Sequence, residues 1–510
     1  METEKSMAIG KFRYKIPFWF VLLSPFLLCL ISFELYYSAL SNENFSVTFL
    51  VHNLELPNAV DDKKPISLVR NFLGNQATPK IIRNKNTEIN HHFDSCSGQY
   101  IYVHDLPSQF NEDLLKNCHN LEKWNDMCGY LSNNGFGTKL EDENSKRVLM
   151  ENGWFLTNQY SSDVIFHERM KKYKCLTNDS SMASAIFVPF YAGLDIVQHL
   201  WGSNISTRDS SARKLVDWLS RKPEWKTMWG RDHFFIGGRV AWDFRRKTDD
   251  ESDWGSKLMF LPESRNMTLL TMEASLWNND IAIPFPTHFH PSEEIQVFVW
   301  QERMRKRERK YLFSFAGAPR PKSEVSIRSE LIKECESSSE LCEFMPCGGT
   351  NRCDEPANVI GLYQDSIFCL EPVGDSATRR STFDSILAGC IPVFFHPGTA
   401  YSQYLWHLPK NYSKYSVYIP ETDIRKKRVK VSERLLGISK DEVMTMREEV
   451  IKLIPSVIYG DWRSNMERTF HDAFDIAVKG LLERVEKVRK KMKEGKDLSE
   501  YYAEEYGWKF

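Results

Sequence analysis

The sequence predicts an α/β protein of two units, each a parallel sheet covered by helices, carried behind a membrane anchor and a polar stem. Three observations lead there. From Gln99 onward short apolar runs alternate with helical patterns; a fresh strand pattern, Tyr311–Gly317, follows directly on a charged helix; and an apolar run without charge fills Ile16–Phe33. Alternation of that kind belongs to parallel strands buried on both faces by helices.

In chain order the anchor comes first. Lys5, Lys11, Arg13 and Lys15 precede the apolar run, and no convincing small-residue cleavage site follows it. The run is longer than an ordinary signal-peptide core, the competing reading, and near the lower limit for a spanning helix. Residues 1–15 are therefore expected to be a cytoplasmic tail and residues 16–37 a signal-anchor crossing the bilayer once. Residues 38–94 are polar and aperiodic, a composition that buries too little apolar surface to offset chain entropy, and read as a luminal stem. The strand-like runs Tyr100–Val103, Ala185–Phe190, Phe234–Ile236 and Leu258–Leu261 place a first α/β unit over residues 95–300. Tyr311–Phe315, Ile367–Leu370, Ile391–Phe395 and Val417–Ile419 place a second over residues 301–480, leaving residues 481–510 as a C-terminal helix and tail. The patterns over Asp441–Val450 and Arg468–Lys493 are charged and amphipathic, and one of these helices is expected to cross back over the first unit.

With 510 residues, 42% hydrophobic, 26% charged and a net charge of −1, the chain has material for two cores and no global attraction to polyanions, so nucleic acid is not an expected partner. The basic run Arg303–Lys310 accordingly reads as a solvated helix face. Five Asn-x-Ser/Thr sequons begin at Asn44, Asn178, Asn204, Asn266 and Asn411, and ten of the eleven cysteines lie beyond the anchor, both in keeping with an oxidising, glycosylating lumen. Disulfides are expected. Cys335, Cys342, Cys347 and Cys353 include no Cys-x-x-Cys and have no neighbouring histidine, so they do not predict zinc. Cys369 and Cys390, in apolar strand patterns, read as buried free thiols or core residues.

Chemistry concentrates in Phe368–Phe395. Two apolar strand runs there enclose a polar loop and a helix marked by Phe383, Ile386 and Leu387. Ser376, Thr378 and Ser381 offer hydroxyls, Arg379 and Arg380 offer charge, and the exposed N–H groups of the helix start offer donors, the equipment of a diphosphate site. A polar loop of this sort is also an ordinary feature of α/β proteins. The wider pattern goes further: Tyr100–Pro107 (YIYVHDLP), Ala185–Asp195, Gly230–Phe234, Trp242–Arg246 (WDFRR), Phe313–Arg320, Trp406–Lys410 and the segment TRRSTFDSILAGCIPV over Thr378–Val393 are collinear. From about Tyr100 to the C-terminus the chain resembles the exostosin-like glycosyltransferases, in the plant subgroup that contains the xyloglucan galactosyltransferases.

That resemblance implies a GT-B architecture, two Rossmann-like units facing each other across a cleft. It implies an inverting Golgi type II enzyme moving β-galactose from UDP-galactose to xylosyl side chains of xyloglucan, with other Golgi glycosyltransferases as possible partners. A galacturonosyl- or arabinosyltransferase on a related wall polymer, or a non-catalytic scaffold, is the alternative. Glu371, Ser376, Thr378, Arg379, Arg380, Ser381 and Asp384 are carried over as donor-binding positions, Asp384 at the acid that holds the ribose in related enzymes. Ser381 departs from the broader pattern, which has an arginine three positions before that acid. No Asp-x-Asp occurs, so no cofactor and no obligatory metal is expected, with helix-end donors and arginines taking the charge of the leaving diphosphate.

For the base, His104 with Asp105, after the first strand, suits proton abstraction by an imidazole oriented by a carboxylate; capping of a turn accounts for the pair equally well. Asp243, among arginines, is the other candidate, and an ion pair its alternative. His288 and His290 have ligand-like spacing but no third ligand near them. Trp201, Trp242, Trp254 and Trp406 lie in polar contexts suited to stacking on an acceptor's sugar rings, although most tryptophans are core.

Overall fold

The computed structural model describes residues 94–320, 326–348, 351–461 and 468–496. The expected tail and anchor, with Asn44 and nearly all of the stem, lie outside the described residues. Six strands form the first sheet: β1 (Tyr100–Val103), β2 (Leu176–Thr177), β3 (Ala183–Phe187), β4 (His233–Ile236), β5 (Thr268–Thr271) and β6 (Asp280–Ala282). Their order is β2-β1-β3-β4-β5-β6 and every neighbouring pair is parallel. The second sheet has β7 (Tyr311–Gly317), β8 (Cys342–Pro346), β9 (Ser366–Glu371), β10 (Ile391–Phe394) and β11 (Val417–Tyr418), ordered β8-β7-β9-β10-β11, again all parallel. Two helix-covered parallel sheets in one chain, with the carboxyl ends of their strands meeting, constitute the GT-B-type architecture. The expected strand at Leu258–Leu261 is instead a single turn of 3-10 helix, Leu258–Phe260, buried beside Phe235 and Leu269. A four-residue apolar run packs as well under a helix as in a sheet, and pattern alone does not separate the two.

Seven helices matter for the site: α1 (Ser162–Lys171), α2 (Ile205–Ser220), α3 (Glu294–Lys306), α4 (Arg328–Ser337), α5 (Ser381–Leu387), α6 (Lys440–Lys452) and α7 (Ala473–Lys493). Helix α2 buries Leu215, Val216 and Leu219 on one face of the first sheet with Phe235 and Leu269. The opposite face carries α1 and α7, whose Ile165, Phe166, Phe474, Leu481 and Val485 pack with Ile101, Phe187 and Phe234. Helix α7 is thus the one that crosses back. It starts at Asp472, which forms a capping box with Asp475 and accepts from Arg169 of α1 at 3.1 Å, and it is held further along by Arg489 donating to the Ser184 carbonyl at 2.7 Å. The core of the second sheet also takes in residues from early in the chain. Leu149 and Trp154 lie in it, the indole 4.8 Å from that of Trp300 on α3.

All ten cysteines among the described residues are paired: Cys96–Cys175, Cys118–Cys128, Cys335–Cys342, Cys347–Cys353 and Cys369–Cys390. The last pair corrects the expectation of free thiols. Cys369 sits in β9 opposite Pro392, and Cys390 immediately precedes β10, so the parallel pairing brings the two Cα atoms to 5.9 Å. Nothing in the spacing of the two residues announces that register.

Candidate active site

The cleft lies where loops after β5 and β9 meet. Glu273, two residues beyond β5, accepts at Oε2 from the backbone N–H of Thr378 at 2.8 Å and from its hydroxyl at 2.7 Å. Arg380 reaches the other way, its Nη1 donating to the Thr157 carbonyl at 3.1 Å. Gln403 exchanges hydrogen bonds of 2.8 and 3.2 Å with Ala274, and the Tyr404 hydroxyl donates to the Met272 carbonyl at 2.8 Å. The loop expected to hold the donor is therefore the element that clasps the first unit.

Within that loop most of the expected donor positions converge. Glu371 ends β9 buried, with Ser381 donating to one oxygen, while burial, and Asp384 nearby, push its carboxyl up to about 8. Asp384, on α5, is equally enclosed; burial raises it to about 6 against the pull of Arg380, whose Nε lies 3.4 Å from Oδ2. Arg379 folds over Gly374 so closely that a Cβ there would stand 1.3 Å from its Nη2. Ser376 spends its hydroxyl inside the loop, on the Thr378 carbonyl at 3.4 Å, and Thr378 spends both donors on Glu273. Several buried polar atoms carry no hydrogen bond among the described residues: Glu371 Oε1, Asp384 Oδ1, Arg379 Nε and Nη2, and Thr382 Oγ. Native interiors pair nearly all such groups, so unpaired carboxylate and guanidinium atoms gathered on one strand-turn-helix segment make it the candidate site for a polar ligand.

The groups expected to act as base sit differently. His104 follows β1 but lies buried beneath α2, edge-on to Trp218 with ring centroids 5.4 Å apart, and its Nε2 is 3.2 Å from Nε2 of His233. Burial, then the neighbouring His233 and Lys222, lower its pKa to about 3, so the ring is neutral at physiological pH. Asp105 is exposed; the carboxylate that orients this histidine pair is Asp232, 2.8 Å from His233 Nδ1. Asp243 is completely buried, one oxygen accepting from Arg239 Nε at 2.6 Å and the other from Trp254 Nε1 at 2.5 Å. His290 spans from the Tyr459 carbonyl, 2.6 Å from Nδ1, to the Thr157 hydroxyl, 2.9 Å from Nε2, and so ties the start of the cleft to the C-terminal crossing. Trp406 packs onto Gly480 of α7, away from the other three tryptophans, which lie together.

Four contributors had no sequence signal. Glu273 lies 105 residues from the threonine it holds. Arg328 on α4 braces the loop after β9, donating to the carbonyls of Val373, Ala318 and Pro372 at 3.0, 3.3 and 3.4 Å. Thr157 follows a two-residue strand, Phe155–Leu156, too short for any pattern. Asp163, at the start of α1, lies beneath Gly238 with its carboxyl raised to about 7 by burial.

Comparison with known proteins identifies the family. Residues 95–435 match the exostosin GT47 domain. Xyloglucan galactosyltransferase MUR3 of Arabidopsis thaliana is 55% identical over 419 residues, an alignment covering 82% of this chain and 67% of that protein. Two probable xyloglucan galactosyltransferases of the same plant, GT12 and GT14, are 48% and 49% identical over alignments covering 95% of this chain and 96% and 92% of theirs. With the domain matched over most of its length, and with relatives this similar aligned nearly end to end, the chain belongs to the exostosin GT47 family of glycosyltransferases.

Proposed function

We propose that this protein transfers β-linked galactose from UDP-galactose to xylosyl side chains of xyloglucan, with inversion at the anomeric carbon. The reading rests on one observation above the rest, the cluster of unpaired Glu371, Asp384 and Arg379 atoms in a loop that closes on the first unit through Glu273. The names of the relatives at 48–55% identity favour this sugar and this acceptor. In this scheme Arg379 and Arg380 face the diphosphate and Asp384 and Glu371 take the ribose hydroxyls. The acceptor hydroxyl attacks the anomeric carbon, the bond to the diphosphate breaks with its electron pair leaving on UDP, and the hydroxyl proton passes to a carboxylate. We assign that carboxylate to Glu273, half-buried at the junction of the two units, and give Asp243 and His104 positioning roles. The arginines neutralise the growing phosphate charge, so no metal is required.

The same reading makes the chain a Golgi type II membrane protein with a luminal catalytic part, in keeping with its disulfides and with the exposed sequons at Asn178, Asn204 and Asn411. A panel of UDP-sugars against a xylosylated oligoglucan tests the function, with the product linkage read by NMR. Galactose in β linkage is expected. Turnover with UDP-galacturonic acid or a UDP-arabinose alone would reassign the sugar, and folded protein with no turnover on any donor would leave a scaffold.

A further inference from the structure

Four indole rings on the first unit form a chain of neighbours, edge-to-face or tilted at interplanar angles of 78°, 76° and 47°. Trp124 and Trp201 have centroids 5.0 Å apart, Trp201 and Trp254 5.5 Å, and Trp254 and Trp242 6.1 Å. Three of them stand well out of the core, Trp124, Trp201 and Trp242 being 62%, 43% and 42% exposed, while Trp254 is partly buried against the core of the unit. Contiguous exposed aromatic surface of this kind marks a binding face.

The group is held rigidly and it leads somewhere. Trp124 sits on the short loop closed by the Cys118–Cys128 disulfide. The loop bearing Trp254 is pinned by Arg208, which donates to the Glu251 carbonyl at 2.9 Å, and by Arg246, which donates to the Gly255 carbonyl at 3.0 Å. At the inner end Trp254 Nε1 bonds Asp243, Asp243 holds Arg239, and the Arg239 guanidinium lies 4.3 Å over the Tyr160 ring. The Ala241 N–H, beside Trp242, donates to the Glu273 carbonyl at 2.9 Å. The aromatic group is therefore continuous with the cleft.

We propose that Trp124, Trp201, Trp254 and Trp242 form a track for the backbone of an extended, uncharged β-glucan acceptor, whose ring C–H faces stack on the indoles while one substituted sugar enters the cleft. Neutral polysaccharide fits the chemistry better than a polyanion, because the arginine at the inner end is already neutralised by Asp243. This deepens the proposed function and rests on it for the direction of the chain.

The test compares xyloglucan polymer with a one-repeat xylosylated oligosaccharide in the Trp124→Ala/Trp201→Ala protein and its Tyr/Tyr counterpart. KM for the polymer is expected to rise by roughly tenfold, several times more than for the oligosaccharide, with most of the loss restored by tyrosine. Affinity electrophoresis in gels containing xyloglucan reads binding without turnover, and the alanine protein is expected to lose the retardation that the parent and tyrosine proteins show. An active enzyme whose length preference and retardation are the same in all three proteins would overturn the track and leave the function standing. A protein inactive on every donor yet retarded in a tryptophan-dependent way would keep the track and overturn the function.

Discussion

Replacing Glu371 by glutamine should make the protein more stable near neutral pH, and the size of the gain follows from burial. The carboxyl has an ordinary value of 4.5 and is raised to about 8 in the folded state, chiefly by desolvation. In the window between those values the folded chain holds a proton that the unfolded chain has lost. Stability therefore falls as pH rises from about 4.5 to about 8, by at most about 1.4 kcal/mol per unit and about 5 kcal/mol in all, and is flat above. Asp384 and Asp163, raised to about 6 and about 7, slope the same way over lower ranges, but both are common to parent and variant and cancel in the difference. Urea unfolding of the disulfide-intact protein at about pH 5 to 9 gives that difference. Glu371→Gln should gain on the parent up to about pH 8 and then hold its lead. Parallel curves would refute the assignment of a buried, protonated carboxyl. Ligand binding offers a second reading of the same group, since ribose hydroxyls donating to Glu371 favour its ionised form. UDP binding at pH 7 should then release more protons from the parent than from the variant, measured by calorimetry in two buffers of different ionisation enthalpy.

Arg380→Ala and Asp384→Ala should each weaken UDP binding roughly ten- to a hundredfold, as charge-assisted contacts of about 1.5–3 kcal/mol would, with acceptor affinity changing much less; unchanged UDP affinity in calorimetry would put the nucleotide elsewhere. Gly374→Ala should fold with little loss of melting temperature but expel the Arg379 guanidinium, so its UDP affinity should fall to that of Arg379→Ala, and an affinity equal to the parent's would refute the cradle. Glu273→Gln should lower turnover by roughly a hundredfold or more while UDP affinity moves only a few-fold, and a kcat within a few-fold of the parent's would remove it as the base. Transfer should persist in excess chelator, whereas complete loss restored by a divalent cation would reject charge neutralisation by the arginines alone.

Both sheets were legible in the sequence where a strand is a short, continuous apolar run, as at Tyr100–Val103 or Ile391–Phe394. The loop proposed to hold the donor was legible because its parts are contiguous. Glu371, Arg379, Arg380 and Asp384 lie within one βα turn, so local order alone puts them together. The family, too, could be read from collinear motifs, because such motifs are local strings. What pattern could not supply was every contact made across the chain. Arg328 meets the carbonyls of the loop and Cys369 meets Cys390 only once the second sheet has set its register, and Glu273 meets Thr378 and Arg380 meets Thr157 only after the two sheets have closed on one another. Strand β5, which delivers Glu273, is itself a run that the pattern passed over for Leu258–Leu261. His104 shows the same limit in reverse. Its place after a strand suggested the cleft, but the alternation of side chains along β1 turns it under α2 beside His233, and which face a histidine takes is decided by what packs there. The four tryptophans are spread over the 130 positions that separate Trp124 from Trp254 in the sequence. Rings about 5 to 6 Å apart become neighbours only because distant segments are brought together, the loop of Trp124 closed by a disulfide and that of Trp254 held by buried arginines.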